Sequence, residues 1–536
     1  VLLAILVGAA IRVALAVNDN VITNDATAYL RSGESVWAGD GFRRDGAPEL
    51  HFPPVYPVLV GGAERALGSP QRATVTITWL ASTLLLVPLA SIGRRLGGNR
   101  AGLATVWVGA LAPGLTDVPV SSGSGNEVVF LLIVLVALRL ALVAHDSRGL
   151  ARHAAAVGAG ALIGLTYLTR PEGLVYAGVA VGVLFGSVLL GRTSDWRSRL
   201  VSVGLFVVGL SVIVAPYASY LHHNTGKWEL TAKATDPSIE SWRSSAEHDR
   251  EARDAVLYAL DPSGTRFLAR GESLIALARA HPSSYLGIVG INLRELWRDV
   301  VVPVQRSHPS LGWDLMPAPL SAFALWGAWR GRRSPTVLLL GAALLAPTIT
   351  ALAFFVQARY LIPASAVVCL AVGVAFVQLP RRALRPVAIV SGLLLVLSLA
   401  TAMDGADGFL NRREPVEHRL VGQWLEANTS VGARIMTRSM IVEYYAKRRA
   451  VPVPYADPAA VLRFARHYGV DFIVVDAYNY RDLRPQLMDW LTQPPPGTAV
   501  VHRLEQSGRD TIVLQVSGQE VPEASDPPRL GFTGDG

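Results

Sequence analysis

The chain has 536 residues, of which 51% are hydrophobic and 17% charged, and its mean hydropathy is +0.36. This composition excludes a wholly soluble globular enzyme and points to a polytopic membrane protein with polar appendages. The net charge of +8 does not imply nucleic acid, because most arginines stand in short linkers between apolar runs; the single cysteine, Cys369, excludes an intramolecular disulfide and a CxxC redox or zinc cluster.

A membrane span takes about 20 mostly apolar residues. In chain order such stretches fall at 1–17, 73–92, 101–119, 126–144, 153–169, 172–190, 199–221, 311–329, 335–356, 361–379 and 386–403, so the expected fold is a polytopic α-helical membrane protein of about 11 transmembrane helices. The first stretch reads as a span and not a cleavable leader, because many others follow it. Arginines fill every second linker: Arg94, Arg95 and Arg100; Arg148 and Arg152; Arg192, Arg197 and Arg199; Arg330, Arg332 and Arg333; Arg381, Arg382 and Arg385. The positive-inside rule makes those linkers cytoplasmic, which puts the N-terminus inside and the C-terminal tail outside.

The outer face then collects the non-repetitive parts. Residues 1–403 form the expected transmembrane domain, with long outer loops at 18–72 and 222–310, lengths that mark functional loops more often than mere connections. Residues 24–39 are expected as a short amphipathic helix, with Asn24 as its cap and Tyr29, Val36 and Trp37 as apolar positions. Segment 265–300 also reads as helical. From 404 to 517, short β-rich runs (Ala433–Thr437, Phe472–Asp476, Thr498–Leu504, Asp510–Val516) alternate with helical ones (Glu417–Asn428, Met440–Lys447, Pro458–Tyr468). That alternation predicts a small extracytoplasmic α/β domain; it carries no Gly-rich phosphate fingerprint. Residues 518–536, rich in Pro, Gly, Glu and Asp, are expected to be a disordered tail.

The candidate functional residues lie on the outer side. Asp25 follows the first stretch by a few residues, and charge near the hydrocarbon edge is costly unless it has a task. Its alternative is an acid at a helix start, where the macrodipole contributes about 0.3–1 kcal/mol. Glu49 and His51, beside two prolines that fix an extended segment, are candidates to join Asp25 around a divalent metal ion or to position an acceptor; their spacing is too loose for a zinc motif. Asp117 and Glu127 flank the second outer turn, with helix capping as the alternative for Glu127. Arg170 and Arg359 stand at outer span ends, against the positive-inside bias, and a planar guanidinium suits phosphate oxygens. A local pair with Glu172 is the alternative for Arg170, and snorkelling for Arg359. His222 and His223 end the seventh stretch without a metal-ligand spacing.

Asp25 in the first outer loop, Tyr29 after it, and the run His51-Phe52-Pro53-Pro54-Val55-Tyr56-Pro57 resemble the GT-C superfamily of membrane glycosyltransferases, such as protein O-mannosyltransferases and lipid A aminoarabinose transferases. Arg359-Tyr360 before a Pro-containing apolar helix resembles them too. Many members have an Asp-Glu pair where this chain has Asn24-Asp25, and a Lys precedes the prolines in the aminoarabinose enzyme where Phe52 stands here.

The resemblance implies a hexosyl- or pentosyltransferase that moves a sugar from a polyprenyl-phosphate donor to a glycan, lipid or protein acceptor. It would act at the outer face of the bacterial cytoplasmic (inner) membrane, with residues 1–403 as its catalytic domain and the outer loops 18–72 and 222–310 as the cover of its active site. A carboxylate suits removal of the acceptor's proton as an oxocarbenium-like centre develops, which makes Asp25 the general base of an inverting displacement. Tyr29, Glu49, His51, Tyr56, Asp117 and Glu127 are the implied substrate contacts, and Arg170, Arg359 and Tyr360 the implied contacts to the donor phosphate. The competing reading is a transporter or flippase of the same lipid-linked sugars. Such proteins place ionisable groups at mid-membrane, often in repeated halves, whereas these candidates cluster at one face.

Overall fold

A computed structural model describes residues 1–16, 21–116, 125–189, 195–232, 235–236, 250–268, 272–273, 278–296, 316–332, 334–353, 358–404, 415–506 and 508–517. The chain forms two compact units. The first comprises Val1–Asp19, Tyr29–Thr231 and Val289–Arg412; the second comprises Asn20–Ala28, Ala232–Ile288 and Arg413–Gly536. The expected cover segment 222–310 is therefore divided between the two.

The first unit is helical and membrane-embedded. Its helices are α1 (Leu2–Ala16), α2 (Asn24–Ala38, begun in the other unit), α3 (Val55–Leu67), α4 (Pro70–Leu84), α5 (Leu86–Leu111), α6 (Gly125–Asp146), α7 (Gly149–Tyr167), α8 (Val175–Leu189) and α9 (Trp196–Thr225). After α10 (Arg250–Leu257) in the second unit, the chain continues through α11 (Pro282–Glu295, also begun in the second unit), α12 (Ala318–Arg330), α13 (Pro335–Ala353), α14 (Ile362–Val377) and α15 (Arg381–Asp404). Every stretch expected to span carries helix. Among the described residues, five helical runs are long and apolar enough to cross a bilayer: Pro70–Leu111, Gly125–Asp146, Trp196–Thr225, Arg359–Val377 and Arg381–Ala400.

Local sequence explains the joints. The linker holding Arg94, Arg95 and Arg100 is a reversal inside α5, made by Gly97 and by Gly98 at φ +77°, a value open to glycine. Its two halves fold onto each other so closely that a Cβ on Gly102 would lie 2.8 Å from the Ala90 carbonyl oxygen. The amphipathic helix expected over 24–39 is α2. It ends at Gly39 (φ +91°), and its Tyr29 is buried, while Trp37 is exposed with its indole N–H bonded to the Val58 carbonyl (2.9 Å). Helices α2 and α3 touch backbone to backbone: a Cβ on Gly33 would sit 2.2 Å from the Pro57 carbonyl oxygen. Two-residue strands β1 (Arg43–Arg44) and β2 (Ala47–Pro48) make the hairpin between these helices.

The second unit contains the short pair β3 (Thr235–Asp236) and β4 (Glu272–Ser273), and a five-stranded sheet. The sheet's strands are β5 (Arg434–Thr437), β6 (Arg449–Pro452), β7 (Phe472–Asp476), β8 (Thr498–Gln506) and β9 (Arg509–Val516), in the order β6-β5-β7-β9-β8. β5 runs parallel to β6 and β7, and β9 antiparallel to β7 and β8. Helices α16 (Val416–Asn428), α17 (Met440–Ala446), α18 (Pro458–His467) and α19 (Ala477–Leu483) complete it. Strand alternation sorts the core: Met436, Val451, Ile473, Val475 and Leu514 pack on one face, Ile435, Ala450, Val474 and Val513 on the other.

Among the described residues of 265–300, helix covers 278–280 and Pro282–Glu295. Residues 258–268 instead make turns and bridges, because Asp261 accepts the amides of Thr265 and Arg266 and caps a turn at Pro262–Gly264. Just before them, α10 is docked on the sheet's own domain. Asp254 pairs with both Arg438 and Arg484. Both guanidinium groups also lie over the Tyr258 ring, at 4.6 and 5.3 Å. The Tyr455 hydroxyl donates to Glu251 (2.6 Å), the Tyr468 hydroxyl to the Thr265 carbonyl (2.7 Å), and Phe267 packs on Phe464. A second buried network, Asp476–His418–Ser439 at 3.0 Å per link, ties α16 to β7 and the start of α17.

Candidate active site

Glu49 organises the first wall. Its Oε1 accepts the amides of His51 (2.7 Å) and Phe52 (3.1 Å), and its Oε2 meets the Ser32 hydroxyl (3.2 Å) and the Arg44 guanidinium (3.1 Å). One buried carboxylate thus folds the residues ahead of Pro53-Pro54 into a fixed turn. The Tyr220 hydroxyl, donating to the Phe42 and Glu49 carbonyls (2.8 and 3.2 Å), holds that turn from α9, and the Val55 amide donates to the Leu168 carbonyl (3.0 Å).

On this turn the His51 ring stands edge-on to Phe52 at 4.6 Å, and Phe52 edge-on to Tyr29 at 4.6 Å. Tyr29 also meets Tyr56 edge-on at 4.9 Å. Tyr56 fits because residue 125 is glycine, where a Cβ would lie 2.2 Å from its hydroxyl. Asn126, next in sequence, donates from Nδ2 to the Tyr29 hydroxyl at 3.1 Å.

Glu127 follows directly in the first turn of α6 and opens the second wall. It accepts from Arg170 at 2.6 Å, and Arg170 reaches Glu172 at 3.3 Å. The Arg170 guanidinium lies over the Tyr360 ring at 5.1 Å. Arg359 lies over the same ring at 4.9 Å and donates to the Tyr360 hydroxyl at 3.0 Å. Arg170 sits where Pro171 starts a 3₁₀ turn, and Arg359 and Tyr360 sit on the 3₁₀ turn Ala358–Leu361 that leads into α14. Arginines 189 positions apart in sequence therefore converge on one tyrosine, with Arg170 balanced by two carboxylates.

Of the residues singled out from sequence, Tyr29, Glu49, His51, Tyr56, Glu127, Arg170, Arg359 and Tyr360 fall into this one continuous set. Asp25 is half-buried in the first turn of α2, four residues before Tyr29 on the same helix. Asp117 lies outside the described residues. His222 stacks on exposed Trp228 (4.2 Å, 9° between planes). Sequence reading missed Arg44, although its partner Glu49 is close in sequence, and took Asn126 only as a possible cap beside Glu127, its partner Tyr29 lying 97 residues away. It also missed the fully buried Arg12, although an arginine inside an apolar run is itself a signal.

No protein-family profile and no characterised protein sequence matches the chain. Solved structures do. ArnT of Cupriavidus metallidurans, bound to undecaprenyl phosphate, aligns with a TM-score of 0.60 at 14% identity, covering 97% of this chain and 99% of that one. The Archaeoglobus fulgidus oligosaccharyltransferase in complex with zinc and sulfate aligns at 0.57 and 14% identity, over 96% of this chain and 73% of its own. The same organism's oligosaccharyltransferase AglB, with an inhibitory peptide and a dolichol phosphate, aligns at 0.52 and 14% identity, over 90% and 69%. At this identity the likeness is one of architecture: the chain shares the fold of ArnT and of the archaeal oligosaccharyltransferase.

Proposed function

We propose that the protein is a polyprenyl-phosphate-sugar-dependent glycosyltransferase, transferring a hexosyl or pentosyl group to a glycan, lipid or protein acceptor. It works at the outer face of a bacterial cytoplasmic membrane, the sidedness resting on the arginine-rich linkers. One observation carries the reading. The first turn of α6 joins two chemically different walls through adjacent residues, Asn126 to Tyr29 on the helix that bears Asp25, and Glu127 to the Arg170–Tyr360–Arg359 cluster. The undecaprenyl and dolichol phosphates bound by the structural neighbours suit the guanidinium groups of that cluster.

In this mechanism Arg359 and Arg170 hold the donor phosphate, and Tyr360 fixes the planes of both guanidinium groups. Asp25 accepts the proton of the acceptor hydroxyl. The acceptor oxygen bonds to the anomeric carbon as the carbon–oxygen bond to phosphate breaks, and polyprenyl phosphate leaves with the electron pair. Stabilising that developing charge is the expected electrostatic contribution of the arginines. One neighbour contains zinc. Among the described residues no three His, Cys, Asp or Glu side chains converge, and both oxygens of Glu49 are engaged by protein donors. No step here is routed through a divalent ion.

Arg359→Ala is expected to weaken donor use at least about tenfold, since a hydrogen bond to a charged group contributes about 1.5–3 kcal/mol. Arg359→Lys should restore only part, because an ammonium is a point charge without the planar fork. Donor titration of the purified variants decides it; an unchanged donor KM in Arg359→Ala removes this residue from the phosphate site.

A further inference from the structure

Arg12 lies in the apolar helix α1, and its side chain is fully buried. A guanidinium withdrawn from water is tolerated when its N–H groups find fixed acceptors. Here Nη1 donates to the carbonyls of Gly8 (2.9 Å) and Ala110 (3.3 Å), and Nη2 to those of Gly109 (3.2 Å) and Leu115 (2.6 Å). Gly109 and Ala110 belong to the last turn of α5, whose carbonyls lack helical partners and carry the negative end of the helix dipole. Leu115 closes the 3₁₀ turn Pro113–Leu115 that follows. One side chain therefore locks the end of α5 to this turn. Gly8 leaves room for it, since a Cβ there would lie 2.8 Å from Nη1. The locked turn packs against the turn Ala358–Leu361, which carries Arg359 and Tyr360.

We propose that Arg12 is a positioning residue for the phosphate-binding side of the site, acting through the Pro113–Leu115 turn on Arg359. The inference rests on the reading of Arg359 as a phosphate ligand. It explains how the charge is held inside an apolar helix: one planar group with five donors satisfies carbonyls of α1, of the end of α5 and of the turn that follows it.

The experiment is a double-mutant cycle on the full-length purified protein, read as binding of undecaprenyl phosphate. Arg12→Met should weaken binding about tenfold and Arg12→Lys only about threefold, because an ammonium still offers three donors. In an Arg359→Ala background, Arg12→Met should add nothing, so that the pair costs about tenfold where independent effects would multiply to about a hundredfold. A purely structural clamp would lower the melting temperature and leave the effects multiplicative. Multiplicative effects, or binding by Arg12→Met within twofold of wild type, overturn the proposal. Should Arg12→Met not fold, Gly8→Ala keeps the charge and displaces the guanidinium; it should weaken binding about threefold, again without adding to Arg359→Ala, and unchanged binding overturns the proposal. Failure of the phosphate reading shows separately, as wild-type protein that does not bind the probe or Arg359→Ala that binds it normally, and then the proposal falls with it.

Discussion

Asp25→Asn is expected to lower transfer by about 10²–10⁴-fold, the usual cost of losing a general base. The exchange is nearly isosteric, and Asp25 is half-buried in the first turn of α2. The helix start keeps its local bonds, the Ala26 amide to Thr23 Oγ1 (3.4 Å) and Thr27 Oγ1 to the Asn24 carbonyl (2.6 Å). The loss of the dipole contribution, about 0.3–1 kcal/mol, is small beside the catalytic effect. Donor binding should stay near wild type, so the loss appears in kcat and not in donor KM. A variant that turns over at the wild-type rate would leave Asp25 as a helix-start acid only.

The second large effect lies in the other unit. Asp254→Asn leaves Arg438 and Arg484 without their shared carboxylate, and the Arg484 side chain is 0% exposed. Breaking a buried pair on one side costs about 3–5 kcal/mol, because the remaining charge stays uncompensated. The expected outcome is a lower denaturant midpoint for the sheet-bearing unit and early proteolysis near residues 250–268. A midpoint that does not move would mean that aromatic contacts around Tyr258 and Phe267 hold α10 by themselves. Acid should imitate the mutation. Burial acts to raise the Asp254 pKa, but the two arginines more than offset this and hold it below the usual carboxylate value. The pair's stabilisation is thus present above the unfolded carboxylate pKa, about 3.9, and is lost as pH falls through the lower folded value.

The parts legible in the sequence are those whose signal is local. Apolar runs mark helices because a bilayer demands continuous apolarity, and β5, β7, β8 and β9 are readable from alternation and β-branched residues. β6 (Arg449–Pro452) is harder to read because it contains a proline, which is tolerated at the sheet's edge. Helix α10, reading Arg-Glu-Ala-Arg-Asp-Ala-Val-Leu, is short and amphipathic, but nothing local tells what it docks on; Arg438 and Arg484, the partners of its Asp254, lie 184 and 230 residues away. The acids and arginines at the ends of apolar runs stand out because charge near lipid is costly. What could not be read was which of them share a partner: Asn126 looks like a cap until Tyr29 is placed beside it, and Glu49 looks like a ligand until four donors surround it.

The most direct measurement is transfer itself. Sealed right-side-out membrane vesicles containing the protein are supplied, from outside, with a panel of radiolabelled short-chain polyprenyl-phosphate sugars. Label that moves from at least one donor into acceptor or, more slowly, into free sugar with wild-type protein, and does not move with Asp25→Asn, is the predicted result. Labelled donor that crosses the bilayer unhydrolysed and untransferred, equally in both proteins, would contradict it and point to transport.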